Sequence, residues 1–279
     1  MRLIRRGPLA AMVFVTAACH PDFQITKFPT NEALYRAAMQ EADAQRWDNA
    51  VAAFEKLTTD LSARDTLLPR AHWFLGRAHE ARGEHVLAAT SFSHLVENFP
   101  DDTLAAPAAL AAARAYGKMW RKPALDPTYG ETALATYNTL LSLYPQSPLV
   151  PEAKKELAEL EEMFAQKAYL TGLYYLRRGA YDSGIIYFKD VLAKWPASPT
   201  SRSAQLRLVE SYRAIRYRED AQDQCAALRK NYPGDAEVRL VCQGVGEPAQ
   251  SAPAATSNAP PASTGPPQAA TPPSTPPAD

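Results

Sequence analysis

RAHWFLGRAHEARGEHVLAATSFSHLVENFP occupies residues 70–100 and contains two apolar helical patterns, which are separated by a short polar turn and followed by Pro100. Gly76 lies in the first pattern, and Ala88 lies in the second with Phe92 four residues later. Small residues let two helices approach closely, and an aromatic ring fills the space between them. The stretch therefore predicts two α-helices packed as a pair.

The end of this stretch recurs along the chain. Four segments each open with an aromatic residue or a cysteine that stands eight positions before a proline. They are FSHLVENFPDD from Phe92, YNTLLSLYPQS from Tyr137, FKDVLAKWPAS from Phe188 and CAALRKNYPGD from Cys225. An earlier copy, DNAVAAFEKLTTDLS, has Phe54 in the aromatic place and Ser62 in the place of the proline. This regularity indicates an internal repeat.

The copies fall in the register of a tetratricopeptide repeat. Counting back from Pro100, the positions that this repeat fills with leucine, glycine, alanine and an aromatic residue are occupied by Leu75, Gly76, Ala88 and Phe92. The copy that ends at Pro196 places Gly172, Tyr175, Gly184 and Phe188 in the same register. We therefore predict an all-α fold, a right-handed solenoid of about five tetratricopeptide-like helix pairs with a disordered C-terminal tail.

The repeat also gives an expected division of the chain. The solenoid is expected over residues 31–246, and its approximate repeats are 31–66, 67–103, 104–148, 149–199 and 200–246. Pro123 and Pro127 forbid a continuous helix in the expanded third repeat, so an inserted loop is expected there. In the next expanded interval Pro151 suits a helix start and no breaker follows before Gly172, which predicts one helix longer than its neighbours.

The N-terminus indicates export. Residues 1–18, MRLIRRGPLAAMVFVTAA, combine a basic start, a short apolar stretch and two small residues, as secretion signal peptides do. With Cys19 they form TAAC, which resembles the lipobox of bacterial lipoproteins, although Thr16 stands where leucine is usual. The resemblance implies an acylated Cys19 at the start of a tether over residues 19–30. An ordinary signal peptide followed by a chance cysteine is the alternative. His20 is not the aspartate that retains lipoproteins at the inner membrane, which favours the outer membrane.

Charge and composition restrict the partners and describe the C-terminus. Lysine plus arginine and aspartate plus glutamate number 30 each, so no net charge attracts the chain to nucleic acid. Residues 247–279 contain ten prolines and no aromatic residue. Such a segment cannot bury enough apolar surface to order itself, so we expect a disordered tail. The tail is a spacer or, alternatively, a ligand for a proline-recognising domain.

Three segments resemble the BamD-type lipoproteins of the outer-membrane β-barrel assembly machinery. They are LDPTYGETALATYNTLLSLYPQSP (125–148), FAQKAYLTGLYYLRRGAYDSGIIYFKDVLAKWPASP (164–199) and RLVESYRAI (207–215). The resemblance spans about residues 30–232; Ser62, Cys225 and the tail depart from it. It implies a lipid-anchored scaffold on the periplasmic face of the outer membrane. The implied partners are a BamA-like barrel insertase, other assembly lipoproteins and unfolded outer membrane proteins. The alternatives are a CpoB-type cell-division factor, a pilus-assembly lipoprotein and, in another class, a periplasmic enzyme.

The concave groove of a helical solenoid is a candidate partner-binding surface. In the first two repeats the groove positions of the first helix include Tyr35, Arg70, Trp73 and Arg77. An exposed aromatic side chain beside arginine suits a binding hot spot, and it could hold the aromatic-ended strand signal of a nascent barrel protein. The alternative is that Tyr35 and Trp73 only pack between neighbouring repeats.

The remaining candidate residues are histidines and cysteines. Four histidines fall in the second repeat, at His72, His79, His85 and His94, but they lack the spacing of a zinc helix. No metal site, cofactor or catalytic signature is expected, so the chain is predicted not to be an enzyme. If Cys19 is acylated, Cys225 and Cys242 remain as a pair in an oxidising compartment. They form either a disulfide that closes the end of the solenoid or two buried reduced thiols.

Overall fold

A computed structural model describes residues 23–246 of the chain. The signal peptide, Cys19 and the tail over 247–279 lie outside the described residues. A single 3-10 turn at Ile25–Lys27 precedes the helices. The helices are α1 (Asn31–Asp43), α2 (Trp47–Asp60), α3 (Leu68–Ala81), α4 (His85–Asn98), α5 (Ala105–Gly117), α6 (Thr128–Leu143), α7 (Val150–Arg177), α8 (Tyr181–Lys194), α9 (Pro199–Ala214), α10 (Arg218–Asn231) and α11 (Ala236–Val241).

Consecutive helices pack against one another from α1 to α10, so the chain forms a linear stack of five helix pairs. The short α11 packs on α9 and α10 and covers the end of the stack. No strand occurs within residues 23–246. The predicted all-α fold of paired helices is confirmed. Among the residues that the structure describes, no helix has both the length and the apolar character needed to cross a membrane.

Local sequence signals set the helix ends. Thr30 Oγ1 accepts a hydrogen bond from Ala33 N at 3.2 Å at the start of α1, which is the bond expected of a capping residue. Pro151 lies in the first turn of α7, where its missing N–H costs no helical hydrogen bond. This helix runs for 28 residues, twice the 14 residues of α8, so the prediction of one long helix is confirmed.

Glycine and phenylalanine form matched pairs inside the stack. A methyl group added at Gly76 would lie 2.6 Å from the ring of Phe92, and one added at Gly172 would lie 2.6 Å from the ring of Phe188. Both rings are fully buried. These positions therefore need glycine because the neighbouring aromatic ring occupies the space of a side chain.

The expected inserted loop connects α5 to α6, and it contributes a core residue. Trp120 is 1% exposed and its ring centroid lies 4.4 Å from that of Phe164. A methyl group at Gly130, in α6, would lie 2.2 Å from the Trp120 ring. On the outer side, Lys167 Nζ donates hydrogen bonds to the carbonyl oxygens of Leu125 at 2.8 Å and Pro123 at 3.2 Å. The loop is thus held at both its buried and its exposed side.

The second half of the expected tether packs on the solenoid. Phe23, Ile25 and Phe28 contact the core cluster formed by α1, α2 and α3, and the rings of Phe23 and Phe28 lie 5.6 Å apart. Burial of these apolar side chains attaches this segment to the first helix pair. Residues 23–28 therefore belong to the folded unit.

Candidate functional site

The groove candidates from the first two repeats lie on α1 and α3. Tyr35 is half-buried, and its ring meets those of Phe54 and Phe74 edge-on, at centroid distances of 6.0 and 6.4 Å. Trp73 is also half-buried and lies 5.3 Å from the ring of Phe92. Both aromatic side chains therefore pack against the core and remain partly exposed to solvent. Packing between repeats and contact with a partner are thus compatible at these positions.

Each groove aromatic has an arginine neighbour. The guanidinium carbon of Arg77 lies 5.8 Å from the centroid of the Trp73 ring, within the range of a cation–π interaction. Burial raises the pKa of the Tyr35 hydroxyl, and the positive charge of Arg70 opposes this rise. Arg70 and Arg77 are both exposed. Arg77 thus lies beside the Trp73 ring, and the charge of Arg70 acts on the Tyr35 hydroxyl; we call these two combinations the aromatic–arginine pairs.

A chain of charges continues from the groove towards the third helix pair. Arg77 Nε lies 3.9 Å from Glu80 Oε2, and Lys118 Nζ donates a hydrogen bond of 2.5 Å to Glu80 Oε1. Glu80 therefore connects the end of α3 to the residue that follows α5. At this separation the carboxylate restrains Arg77 only loosely.

The histidines of the second repeat occupy different environments. His79 is buried, and its Nδ1 lies 2.7 Å from Glu84 Oε2. The rings of His72 and His94 lie 5.8 Å apart, and burial together with the charge of His94 lowers the pKa of His72 to about 4. Within residues 23–246, no group of three or more potential ligand side chains is arranged to hold a metal ion. The contact between His72 and His94 joins α3 to α4, whereas His79 is bonded to the residue that precedes α4.

The two remaining cysteines meet at the end of the stack. A disulfide bond joins Cys225 in α10 to Cys242, which follows α11, with the two Cα atoms 5.6 Å apart. Both residues are fully buried in the last core cluster, together with Leu228 and Val238. The disulfide links the short final helix covalently to the last helix pair.

A polar network that no sequence pattern indicated joins three helices near the middle of the stack. Glu156 in α7 accepts hydrogen bonds from Arg114 Nη2 at 2.6 Å and from the Tyr137 hydroxyl at 2.9 Å. The bond from Arg114 lowers the pKa of Glu156, whereas burial raises the pKa of Tyr137. The network ties together α5, α6 and α7. Tyr137 occupies an aromatic position of the repeat, and the sequence did not indicate its hydrogen bond to Glu156. The residues of the network lie far apart in sequence, so no local pattern reports their contact.

Solved structures of tetratricopeptide proteins resemble this chain at low identity. A TPR repeats protein from Bacteroides fragilis is 13% identical with a TM-score of 0.47, over 77% of this chain and 97% of that one. A thermophilic TPR protein from Thermus thermophilus is 21% identical with a TM-score of 0.33, over 76% of this chain and 96% of that one.

Sequence comparison relates the chain to one family of lipoproteins. The "Outer membrane protein assembly factor BamD" of Caulobacter vibrioides is 25% identical over 209 residues, which cover 73% of this chain and 67% of that protein. The protein of the same name from Xylella fastidiosa strain Temecula1 is 32% identical over 108 residues, which cover 39% of this chain and 37% of that protein. These similarities confirm the resemblance to BamD-type proteins. The sequence profile of the family described as "YfiO: Outer membrane lipoprotein" matches residues 29–228, and the chain therefore belongs to this family.

Proposed function

We propose that the chain is a non-catalytic, lipid-anchored scaffold of outer-membrane β-barrel assembly, positioned on the periplasmic face of the outer membrane. The match of the family over residues 29–228 carries this proposal, since it extends from before α1 into α10 and so includes nearly the whole solenoid. The relatives are named as outer membrane protein assembly factors, and this name supplies the process. In this role the chain binds a BamA-like insertase and other assembly lipoproteins and receives unfolded outer membrane proteins.

A crosslinked pulldown from membranes tests the role. We expect the tagged full-length chain to recover a barrel insertase and at least one further assembly lipoprotein, since a solenoid offers a long surface for several partners. The measurement is mass spectrometry of the crosslinked material against an untagged strain. Recovery of Tol-Pal or pilus components without the insertase would favour a cell-division or pilus-assembly function instead and would contradict the proposal.

The two aromatic–arginine pairs are proposed as the substrate site. Each pair places an amphipathic ring beside a guanidinium group, a combination that is enriched at binding hot spots. The packed inner edges of Tyr35 and Trp73 keep the rings in place before a ligand arrives, so little side-chain entropy is lost on binding. An extended segment with an aromatic residue and a terminal carboxylate matches this surface. Such a segment could come from an unfolded barrel protein.

Removing the two groove arginines is expected to weaken binding of an aromatic-ended strand peptide at least tenfold. The double variant Arg70→Ala/Arg77→Ala should keep its helical circular dichroism, because both side chains are exposed. Binding is measured by fluorescence anisotropy of the labelled peptide. The variant Trp73→Phe tests whether the larger indole ring contributes to this binding. The matched control is Lys154→Ala/Lys155→Ala, which removes the same charge from exposed positions of α7. Equal peptide affinity in the groove variant and the unaltered chain would move the substrate site elsewhere.

Membrane attachment is proposed to depend on Cys19. Each buried methylene of an acyl chain contributes about 0.8 kcal/mol, so several chains on one residue give a lasting anchor. Cys19→Ser should therefore shift the protein from the membrane pellet to the soluble periplasmic fraction, as measured by immunoblotting after salt washing. Cys225→Ala/Cys242→Ala serves as the control, because it removes two cysteines without touching the anchor and leaves no unpaired thiol. Unchanged retention of Cys19→Ser in the membrane would remove the lipid tether from the proposal.

A further inference from the structure

The last helix pair and the segment after α11 form an open cavity that is separate from the groove. It has a volume of about 570 Å³ and lies between the turn from α9 to α10 and the segment that follows α11. Its walls combine three arginines with apolar groups of Tyr217 and Val245; the arginines are Arg213, Arg216 and Arg218. The volume is within the range of sites that hold drug-sized ligands or a few peptide side chains.

The positive charge of this cavity is largely uncompensated. Within residues 23–246, Arg216 and Arg218 make neither a salt bridge nor a side-chain hydrogen bond, and no carboxylate lines the cavity. Arg213 Nη1 donates a hydrogen bond of 2.6 Å to the carbonyl oxygen of Val241, and it forms no ion pair with any residue between 23 and 246. Three arginines line one cavity, so an anion placed there is attracted by three positive charges.

The segment 242–246 forms another part of the cavity wall, and it is held by a disulfide bond and by hydrogen bonds. The Cys225–Cys242 disulfide holds the start of the segment 242–246 against α10. Arg229 Nη2 adds hydrogen bonds to the carbonyl oxygens of Cys242 at 2.8 Å and Val245 at 3.3 Å. A ligand therefore meets a preformed wall, and binding does not have to order this segment of the backbone.

We infer that the cavity binds an acidic peptide segment of a partner protein, in which carboxylates flank an apolar side chain. Guanidinium forks bind carboxylates in bidentate geometry, which accounts for the charged half of the cavity. Tyr217, 54% exposed, supplies an aromatic surface at the rim, and tyrosine beside arginine is typical of interaction hot spots. A bare inorganic anion would use the arginines but leave the apolar wall without a partner.

This site is separate from the proposed substrate groove. The groove lies on α1 and α3, whereas the cavity lies on the last helix pair, and helices contact only their near neighbours in the stack. The inference thus goes beyond the proposed role and does not depend on the identity of the substrate. A scaffold with two independent sites can hold a substrate and a partner at the same time.

The test uses the purified full-length chain in detergent and a fluorescein-labelled peptide in which glutamates flank a central phenylalanine. We expect saturable binding that weakens as salt is added, and at least tenfold lower affinity in Arg216→Ala/Arg218→Ala. A peptide with glutamine in place of glutamate should bind at least tenfold more weakly to the unaltered chain. The matched charge control is Lys154→Ala/Lys155→Ala, which removes two exposed positive charges of α7 and should bind the acidic peptide as the unaltered chain does.

Three results would overturn the inference. Equal loss of affinity in both double variants would mean that the peptide responds only to overall charge. Equal binding of the glutamine peptide would exclude recognition of carboxylates. Binding of inorganic phosphate, or of vesicles containing phosphatidylglycerol, at Arg216 and Arg218 without binding of the acidic peptide would assign the cavity to phosphate groups. The proposed function is tested by crosslinked pulldown, whereas this site is tested by binding of the acidic peptide at Arg216 and Arg218. The failure of one proposal can therefore be distinguished from the failure of the other.

Discussion

Replacing Trp120 with alanine is expected to lower the free energy of unfolding by about 3–5 kcal/mol, the usual cost of truncating a buried aromatic residue. Trp120 is 1% exposed and fills the space between Gly130 and Phe164. Removal of the indole leaves a cavity that the surrounding helices can close only partly, since α6 and α7 are also held by their own contacts. The loop between α5 and α6 loses its inner attachment at the same time.

Urea denaturation followed by circular dichroism measures this loss. Leu125→Ala is the matched control, because Leu125 belongs to the same loop but is 50% exposed, and it should cost less than about 1 kcal/mol. If Trp120→Ala does not fold, Trp120→Phe keeps most of the apolar contact and should show a smaller loss in the same direction. A Trp120→Ala variant as stable as Leu125→Ala would show that the loop packs only loosely on the stack.

Trp120 also shows where sequence reasoning about the fold stops. The pairing of Gly76 with Phe92 could be predicted, because both residues occupy fixed positions of a recurring unit and each copy repeats the constraint. Trp120 lies in an insertion, so no other copy reports on its environment. Pro123 and Pro127 indicated only that the helix is interrupted. That a tryptophan from this loop completes the core depends on the path of the chain in three dimensions.

The candidate sites differ in the same way. Tyr35 and Trp73 could be selected from repeat positions, but their packing against Phe54 and Phe92 became clear only from the distances between the rings. The cavity formed by Arg213, Arg216 and Arg218 gave no sequence signal, because its significance lies in the absence of a carboxylate along its wall. Glu219 and Asp220 follow Arg218 in sequence, but they do not line the cavity. Pairing of charges is therefore a property of the fold and cannot be read from residue spacing.

Removing the disulfide, by Cys225→Ala/Cys242→Ala, is expected to cost about 3 kcal/mol, the loop-entropy value for a closed loop of about this length. The two cysteines are 17 residues apart and fully buried. Alanine is preferred to serine here because a buried hydroxyl would add a separate cost. In a stack of this kind each pair is stabilised chiefly by its neighbours, so the loss should be confined to the terminal helices.

Amide hydrogen exchange locates the effect. Faster exchange is expected in α10 and α11, whereas α1 to α4 should keep the protection they have in the unaltered chain, and reductant should reproduce this pattern in the unaltered chain. The intact mass measured with and without reductant verifies the bond, because reduction of one disulfide adds two hydrogen atoms to the protein. Cys19→Ser is the control, since it leaves the pair intact. Uniform loss of protection along the whole solenoid would mean that the stack unfolds as one unit. Unchanged exchange in α11 would mean that the contacts of Val238 and Arg229 hold the end of the stack without the disulfide.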